Sequence, residues 1–114
     1  VVSAGGTHEA IDPVRYIGNN SSGVFGVEIA AEALRRGARV TLVAANIPAS
    51  TLEAASGVEV VPVVSAAELH EAMDSAAKDA DIIIMSAAVA DFRPAAPAAT
   101  RPHPEGRCLP HCQY

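Results

Sequence analysis

The chain contains 114 residues, half of them hydrophobic, and its 13 acidic and eight basic side chains give a net charge of −5. This length allows one domain at most, and its core must be aliphatic because Trp is absent and only two Phe and two Tyr are present. The acidic balance removes the general reason to expect a nucleic-acid partner, which requires clustered Lys and Arg. No apolar run reaches the roughly 18 residues of a membrane span. Both cysteines fall in the last seven residues. We therefore expect no membrane partner and a cytoplasmic location.

Over most of the chain, apolar runs of strand length alternate with helical patterns. Ser21 or Ser22 is placed to cap the first helix, and Gly37 is placed to end it. Ser65 and Glu68 have the capping-box spacing that starts a second helix. This alternation predicts βαβ units and therefore an α/β, Rossmann-like fold of three layers around a mostly parallel sheet. The predicted strands are residues 1–4, 39–44, 58–64 and 81–90.

Helical spacing also predicts the inner face of each helix. The last strand is apolar on both faces from Ile82 to Met85. One edge of a four-stranded sheet would be exposed and prone to association. The residues expected on the inner faces are Phe25, Ile29, Ala30 and Ala33 in the first helix and Leu69, Met73 and Ala76 in the second.

A loop of some fifteen residues joins the first strand to the first helix. In an open parallel sheet, ligands lie beyond the carboxyl ends of the strands. Gly5 and Gly6 lack a Cβ and let a ligand approach the backbone, while N–H groups at the helix N-terminus favour phosphate. Each residue alone is better explained as a turn or a cap, but a connection this long is unusual unless it is functional. Neither Gly-x-Gly-x-x-Gly nor a Gly-Lys-Ser/Thr phosphate loop is present.

Two long motifs in this order resemble the phosphopantothenate–cysteine ligase family, the C-terminal domain of bacterial bifunctional coenzyme A biosynthesis (DNA/pantothenate metabolism) flavoproteins. The resemblance covers about 94 residues, roughly half of a family domain. The motifs are Gly5-Gly6-Thr7-His8-Glu9-Ala10-Ile11-Asp12-Pro13-Val14-Arg15-Tyr16-Ile17-Gly18-Asn19-Asn20-Ser21-Ser22-Gly23 and Ala87-Ala88-Val89-Ala90-Asp91-Phe92-Arg93-Pro94.

The resemblance implies that 4′-phosphopantothenate is joined to cysteine through an acyl-nucleotide intermediate. CTP, or less often ATP, would be the co-substrate, and Mg²⁺ would neutralise the leaving pyrophosphate. FMN would belong only to a fused decarboxylase domain that this chain does not contain. Family members are expected to be homo-oligomers, with the dimer surface absent from this chain.

The resemblance also implies roles for individual residues. Asn19 corresponds to the asparagine associated with the acyl-nucleotide, and Arg15 to an arginine suited to a carboxylate or phosphate. Alternatively, Arg15 pairs with Asp12 at the surface, and Glu9 and Asp12 merely turn the loop. The remaining implied nucleotide-binding residues are Gly5, Gly6, Thr7, Ser21, Ser22 and Gly23 around the phosphates, Ala87 and Ala88 beside the base, and Asp91 near the sugar or cation, unless Asp91 is an ordinary strand-end carboxylate.

The chain departs from the family pattern at two places. Val24 stands where family members often carry Lys or Arg, and no lysine follows Lys78, although a Lys-x-Lys-Lys segment is expected after the second motif. We therefore expect this chain to be inactive alone. The alternatives are a fragment of a short-chain NAD(P)-dependent oxidoreductase and a non-catalytic nucleotide-binding remnant.

The composition changes after residue 94, so we divide the chain into the N-terminal half of a ligase domain, residues 1–94, and a tail, residues 95–114. Proline density predicts that this tail is disordered. It is either a natural tail or, as its Arg, Pro, His and Cys content favours, out-of-frame coding sequence. Cys108 and Cys112 have a ligand-like spacing beside His103 and His111. Without an ordered scaffold, however, we expect no protein-held metal.

Overall fold

A parallel sheet forms the middle layer of the fold. The structure, a computed structural model, describes residues 1–100. The strands are β1 (Val2–Gly5), β2 (His8–Ala10), β3 (Tyr16–Gly18), β4 (Thr41–Ala45), β5 (Glu59–Val63) and β6 (Ile84–Met85). The helices are α1 (Val24–Arg35), α2 (Ala49–Leu52) and α3 (Ala66–Ala77), with a 3₁₀ turn at Glu53–Ala55. The main sheet has the order β5-β4-β1-β6, and all its neighbours are parallel.

Alternation along β4 divides the core between the two faces of this sheet. Leu42 and Ala44 are buried in a cluster that includes Val27 of α1. Val43 points the other way and packs with Leu69 of α3. Because successive strand residues face opposite sides, one strand supplies both layers of the core. The predicted three-layer α/β fold is confirmed.

The predicted loop after β1 is wrong in one respect, because it contains the antiparallel hairpin β2–β3. Asp12 closes the turn: its Oδ1 accepts the N–H of Val14 at 2.8 Å and that of Arg15 at 2.7 Å. The side chain replaces backbone acceptors in this turn, so the segment can pair although it is short. Stacked rings of His8 and Tyr16, with centroids 3.8 Å apart, lie across the hairpin.

Helix α1 begins later than predicted. Its N-cap is Gly23, with φ of +76°, so neither Ser21 nor Ser22 occupies that position. The hydroxyl of Ser22 nevertheless accepts the N–H of Val24, the first residue of the helix, at 3.4 Å. Phe25 is 76% exposed and does not join the inner face. Ala30 is buried, and Ile29 and Ala33 pack partly buried against the core, as predicted. Close packing is tightest at Gly26, where a Cβ would lie 2.3 Å from the Cβ of Ala4. The helix therefore sits too close to β1 for a large side chain at that face.

The predicted start of α3 is confirmed in part. The hydroxyl of Ser65 accepts the N–H of Glu68 at 3.2 Å. The carboxylate of Glu68 accepts the N–H of Val64 at 2.9 Å instead of the N–H of Ser65, so the capping box is displaced by one residue. Leu69 and Met73 are buried as predicted.

The last predicted strand is much shorter than residues 81–90. Only Ile84–Met85 forms β6, with a further bridge between Gly6 and Ala88. Ile82 and Ile83 are 68% and 49% exposed. The apolar run resembles a central strand, but among residues 1–100 β6 pairs only with β1, and the side chains of Ile82 and Ile83 remain exposed.

A charge on this edge should reduce self-association. We expect Ile83→Lys to lower the sedimentation-average mass, because a lysine on an exposed edge opposes strand pairing between copies. Stability should change by no more than about 0.5 kcal/mol, as for other exposed positions. Ser50→Lys, on the exposed side of α2, adds the same charge elsewhere. Equal masses for the two variants would contradict an association through β6.

The structure describes only the first part of the predicted tail. Residues 95–100 contain no helix or strand, although the N–H of Ala98 donates to the carbonyl of Ile11 at 2.9 Å. Residues 101–114 lie outside the described part, as does the set His103, Cys108, His111 and Cys112. Within residues 1–100, no helix has the length and apolar character needed to cross a membrane.

Candidate functional site

The first motif crosses the carboxyl edge of the sheet and is held there by backbone hydrogen bonds. The N–H of Gly6 donates to the last carbonyl of β4 at 3.1 Å. The N–H of Thr7 donates to the Ala88 carbonyl at 3.1 Å, and the N–H of His8 to the Val64 carbonyl at 2.8 Å. These N–H groups already have acceptors within the protein. In this structure they shape the loop, and phosphate donors must come from elsewhere in the motif.

Gly5 and Gly6 allow close approach of the protein's own backbone. A Cβ at Gly5, where φ is +88°, would lie 2.0 Å from the carbonyl oxygen of Ala45. A Cβ at Gly6 would lie 2.6 Å from the carbonyl oxygen of Asn19. We expected the missing Cβ atoms to let a ligand approach, whereas the protein's own backbone occupies both positions. Gly6 consequently sets the position of the segment that carries Asn19.

The open part of the motif is the segment that leads into α1. Asn19 and Ser22 are exposed, and Ser21 is half-buried with its N–H donated to the Asn19 carbonyl at 3.1 Å. The first turn of α1 contains no acidic residue. N–H groups in that turn have no intrahelical acceptors, and the helix dipole makes this end positive. This segment offers the clearest position for an anion, even though Val24 supplies no cation.

Arg15 is engaged with Asp12, the pairing that the sequence left open as an alternative. Its Nε donates to Asp12 Oδ2 at 2.7 Å, and a terminal guanidinium nitrogen lies 2.7 Å from the same oxygen. The Arg15 side chain stays 49% exposed, while that of Asp12 is fully covered. Burial raises the pKa of Asp12, but the N–H groups of Val14 and Arg15 and the guanidinium outweigh it and hold that pKa below its ordinary value.

This pKa shift predicts how the contribution of Asp12 depends on pH. A carboxyl whose folded pKa lies below its ordinary value of 3.8 stabilises the fold above that pH and loses the contribution as pH falls through the folded pKa. We expect Asp12→Asn to lower the thermal midpoint at neutral pH. The difference from the unmutated protein should shrink as the pH is taken below 3.8. Glu32, whose pKa is lowered by hydrogen bonds from Arg36 and Arg35, titrates in both proteins and cancels in the comparison. If the difference in thermal midpoint did not change with pH, the conclusion that Asp12 is ionised in this turn would be contradicted.

The second motif is tied to the first by side chains that carry no obvious signature in the sequence. The hydroxyl of buried Thr7 accepts the N–H of Ala90 at 2.8 Å. The hydroxyl of buried Ser3 accepts the N–H groups of Ser86 and Ala87 at 3.2 and 3.3 Å. The only signal for Ser3 was a polar residue in an otherwise apolar strand.

These bonds place Ala87 and Ala88 beside the loop after β1, where the N–H of Ala88 also donates to the Gly5 carbonyl at 2.7 Å. Asp91 follows and is exposed. The two motifs, 64 positions apart between Gly23 and Ala87, therefore meet at one edge of the sheet. Among residues 1–100, no group of three His, Cys, Asp or Glu side chains is arranged to hold a metal.

Two further residues organise the site. Buried Glu9 accepts the N–H of Ala66 at 2.7 Å, so a carboxylate from the hairpin satisfies the first turn of α3. This contact gives Glu9 a role beyond turning the loop. Asn46, at the end of β4, donates to the carbonyls of Gly6 and Val64. Asn46 was not among the predicted site residues, although asparagine after a strand is a common turn signal.

A hollow of about 790 Å³ lies at the opposite end of the sheet, among the amino ends of the strands. Its lining includes Val1, Thr41, Glu59 and Asp79. None of the predicted site residues lines it. Ligands of open parallel sheets bind at the carboxyl edge, so the motif-bearing edge remains the candidate site.

Comparison with known proteins agrees with the motifs. Residues 1–106 match the family described as the DNA/pantothenate metabolism flavoprotein C-terminal domain. The coenzyme A biosynthesis bifunctional protein CoaBC of Mycolicibacterium smegmatis is 50% identical over 101 residues, which are 89% of this chain and 24% of that protein. The match to the family extends beyond residue 94, into the predicted tail.

Solved structures show the same fold. The crystal structure of the C-terminal domain of CoaBC superposes with a TM-score of 0.74 at 41% identity, covering 82% of this chain and 46% of that one. A Cab2 variant in complex with phosphopantothenate-cysteine gives a TM-score of 0.69 at 19% identity over 95% of this chain and 51% of that one, a likeness of fold alone. The chain thus spans about a quarter of the M. smegmatis protein and under half of the solved CoaBC domain. The resemblance drawn from the two motifs is confirmed, and the chain belongs to the DNA/pantothenate metabolism flavoprotein C-terminal domain family.

Proposed function

We propose that this chain forms the phosphate-binding half of a phosphopantothenate–cysteine ligase site that takes CTP, or less often ATP, as co-substrate. The observation that supports the proposal is the meeting of the two motifs at the carboxyl edge of the sheet. Exposed Asn19, the N-terminus of α1 and exposed Asp91 lie on these motifs. They supply an amide, a positive helix end and a carboxylate, the groups that an acyl-nucleotide and its phosphates require.

The reaction requires two transfers. The carboxylate of 4′-phosphopantothenate attacks the α-phosphorus of the nucleotide, and pyrophosphate leaves. The amine of cysteine then attacks the acyl carbon and loses a proton to solvent, and the nucleoside monophosphate leaves with the bonding electrons. The contribution of this half-site is to hold phosphate oxygens at α1 and the acyl carbonyl at Asn19, which lowers the entropic barrier by fixing orientation.

Arg15 has a specific part in the proposal. Its guanidinium is half exposed, and one carboxylate oxygen of Asp12 orients it. Since a guanidinium has five donors, the pair leaves several N–H groups available for a substrate carboxylate or phosphate. Asp12 then acts as the group that aims Arg15, so the ion pair and the predicted binding role are compatible.

Mg²⁺ would enter with the nucleotide. Residues 1–100 contain no preformed cluster of metal ligands, and Asp91 is a single exposed carboxylate on the second motif. Mg²⁺ commonly uses one or two carboxylates together with phosphate oxygens and water. The residues present therefore fit a Mg²⁺ ion that arrives bound to the triphosphate. The ion would neutralise the negative charge of the phosphates.

The proposed location is the cytoplasm. Residues 1–107 contain no cysteine, so the chain has no disulfide framework of the kind found in secreted proteins.

Calorimetry with CTP and Mg²⁺ tests the binding half of this proposal. We expect saturable binding by the 114-residue chain and no ligation of phosphopantothenate to cysteine, since no lysine follows Lys78. Asn19→Ala should weaken binding of CTP and phosphopantothenate together by up to about tenfold, the value of one hydrogen bond.

Asn20→Ala provides the matched control, because Asn20 is also exposed and adjacent. A flat trace for the unmutated chain would contradict nucleotide binding, and appreciable turnover would contradict the expected inactivity. Equal weakening by both substitutions would remove Asn19 from the site. Binding of NADPH in place of CTP would favour the oxidoreductase alternative.

A further inference from the structure

Asn46 has an unusual backbone conformation immediately after β4. Its φ is +53°, and among residues 1–100 it is the only non-glycine residue with positive φ. Asparagine enters this left-handed region more readily than most residues, because its short side chain can bond locally. The conformation turns the chain away from the sheet and directs the amide across the carboxyl ends of the neighbouring strands.

The amide of Asn46 joins the loops that follow β1 and β5. Its Nδ2 donates to the Gly6 carbonyl at 2.8 Å and to the Val64 carbonyl at 2.9 Å. Both partners can only accept, so the nitrogen must face them and the amide oxygen must point away. One side chain therefore spans β4 and fixes the distance between the two adjacent loops.

The next residue extends this contact to α1. A Cβ at Gly5 would lie 2.8 Å from Cγ1 of Ile47, and a Cβ at Gly23 would lie 2.5 Å from its Cδ1. Ile47 thus packs against the end of β1 and the N-cap of α1 at once. Together, Asn46 and Ile47 contact the end of β1, the loop that follows it and the N-cap of α1.

We propose that Asn46 is a positioning residue for the nucleotide site, an inference that rests on the proposed function. Its amide holds the backbone of Gly6, and Gly6 lies against the Asn19 carbonyl, where a Cβ would be only 2.6 Å away. Asn46 contributes no group to the reacting atoms in this scheme. It acts by keeping the segment from Gly6 to His8, and with it Asn19, in the geometry that receives the nucleotide.

Two substitutions separate this role from simple stabilisation. Asn46→Gly accepts the positive φ and removes the amide, while Asn46→Asp keeps the shape but places a carboxylate against two carbonyl oxygens. We expect both to accelerate amide hydrogen exchange at His8, whose N–H bonds to Val64. Exchange at Val43, in the core of β4, reports global unfolding and should change far less.

The functional readout is the affinity for CTP with Mg²⁺, measured by calorimetry. Asn46→Gly should weaken binding about tenfold, because two hydrogen bonds that orient the loop are lost. Ser50→Gly, in exposed α2, controls for the added backbone freedom and should leave affinity unchanged.

Unchanged exchange at His8 in Asn46→Gly overturns the inference, as does unchanged affinity. If the unmutated chain does not bind CTP, the proposed function fails, and exchange at His8 alone decides whether Asn46 holds the loop. If the amide of Val43 exchanges as fast as that of His8 in Asn46→Gly, then Asn46 stabilises the whole fold, and the inference is also overturned.

Discussion

Replacing Gly5 with alanine should remove a large part of the stability of the fold. The new Cβ would lie 2.0 Å from the carbonyl oxygen of Ala45, a backbone atom that cannot rotate away, and φ at this position is +88°. The left-handed conformation costs an alanine about 1–2 kcal/mol, and overpacking adds about 1–3 kcal/mol. We expect a total loss of about 2–5 kcal/mol, a substantial share of the 5–15 kcal/mol typical of a domain. Chemical denaturation measures it.

Gly37 provides a control with almost the same backbone. Its φ is +89°, but a Cβ built there would have no neighbour within 4 Å. Gly37→Ala should therefore cost only the conformational term of about 1–2 kcal/mol. If the two alanine variants unfold at the same denaturant concentration, the contact between Gly5 and the end of β4 does not contribute as described.

Replacing Thr7 with valine should loosen the contact between the two motifs. Thr7 is fully buried, and its hydroxyl accepts the N–H of Ala90 at 2.8 Å. Valine has nearly the same shape but no acceptor, so the N–H of Ala90 loses its partner at a cost of about 1–3 kcal/mol. Because this bond anchors the segment that carries Ala88 and Asp91, affinity for CTP should fall along with the denaturation midpoint.

Thr7→Ser is the matched variant, since it keeps the hydroxyl and loses one methyl group, worth about 0.8 kcal/mol. The two variants differ most in amide exchange at Ala90, which should remain slow with serine and become fast with valine. Slow exchange at Ala90 in both variants would show that another group satisfies this N–H, and the proposed anchor would be wrong.

Local patterns were sufficient for the framework of this protein. Alternation of apolar runs and helical periods predicted the four main-sheet strands and two long helices in the correct order. Gly37 ends α1 with positive φ, and Ser65 caps α3, both as predicted. These features depend on residues a few positions apart, so periodicity and capping chemistry report them directly. The two motifs likewise identified the family, because their residues are contiguous in the sequence.

Tertiary contacts decided which of these residues face ligand, core or solvent. Ile83 and Phe25 are exposed although their patterns favour burial, since the first lies at a sheet edge and the second on the outer side of α1. Gly5 is a glycine because β4 passes beside it, a contact between residues forty positions apart. Asn46 joins loops that precede and follow it in the chain. Such pairings depend on which strands become neighbours, and no local period encodes that choice. The sequence by itself therefore determined the order of elements, the motifs and the family, whereas only the packed sheet decided how the motifs meet and what holds them together.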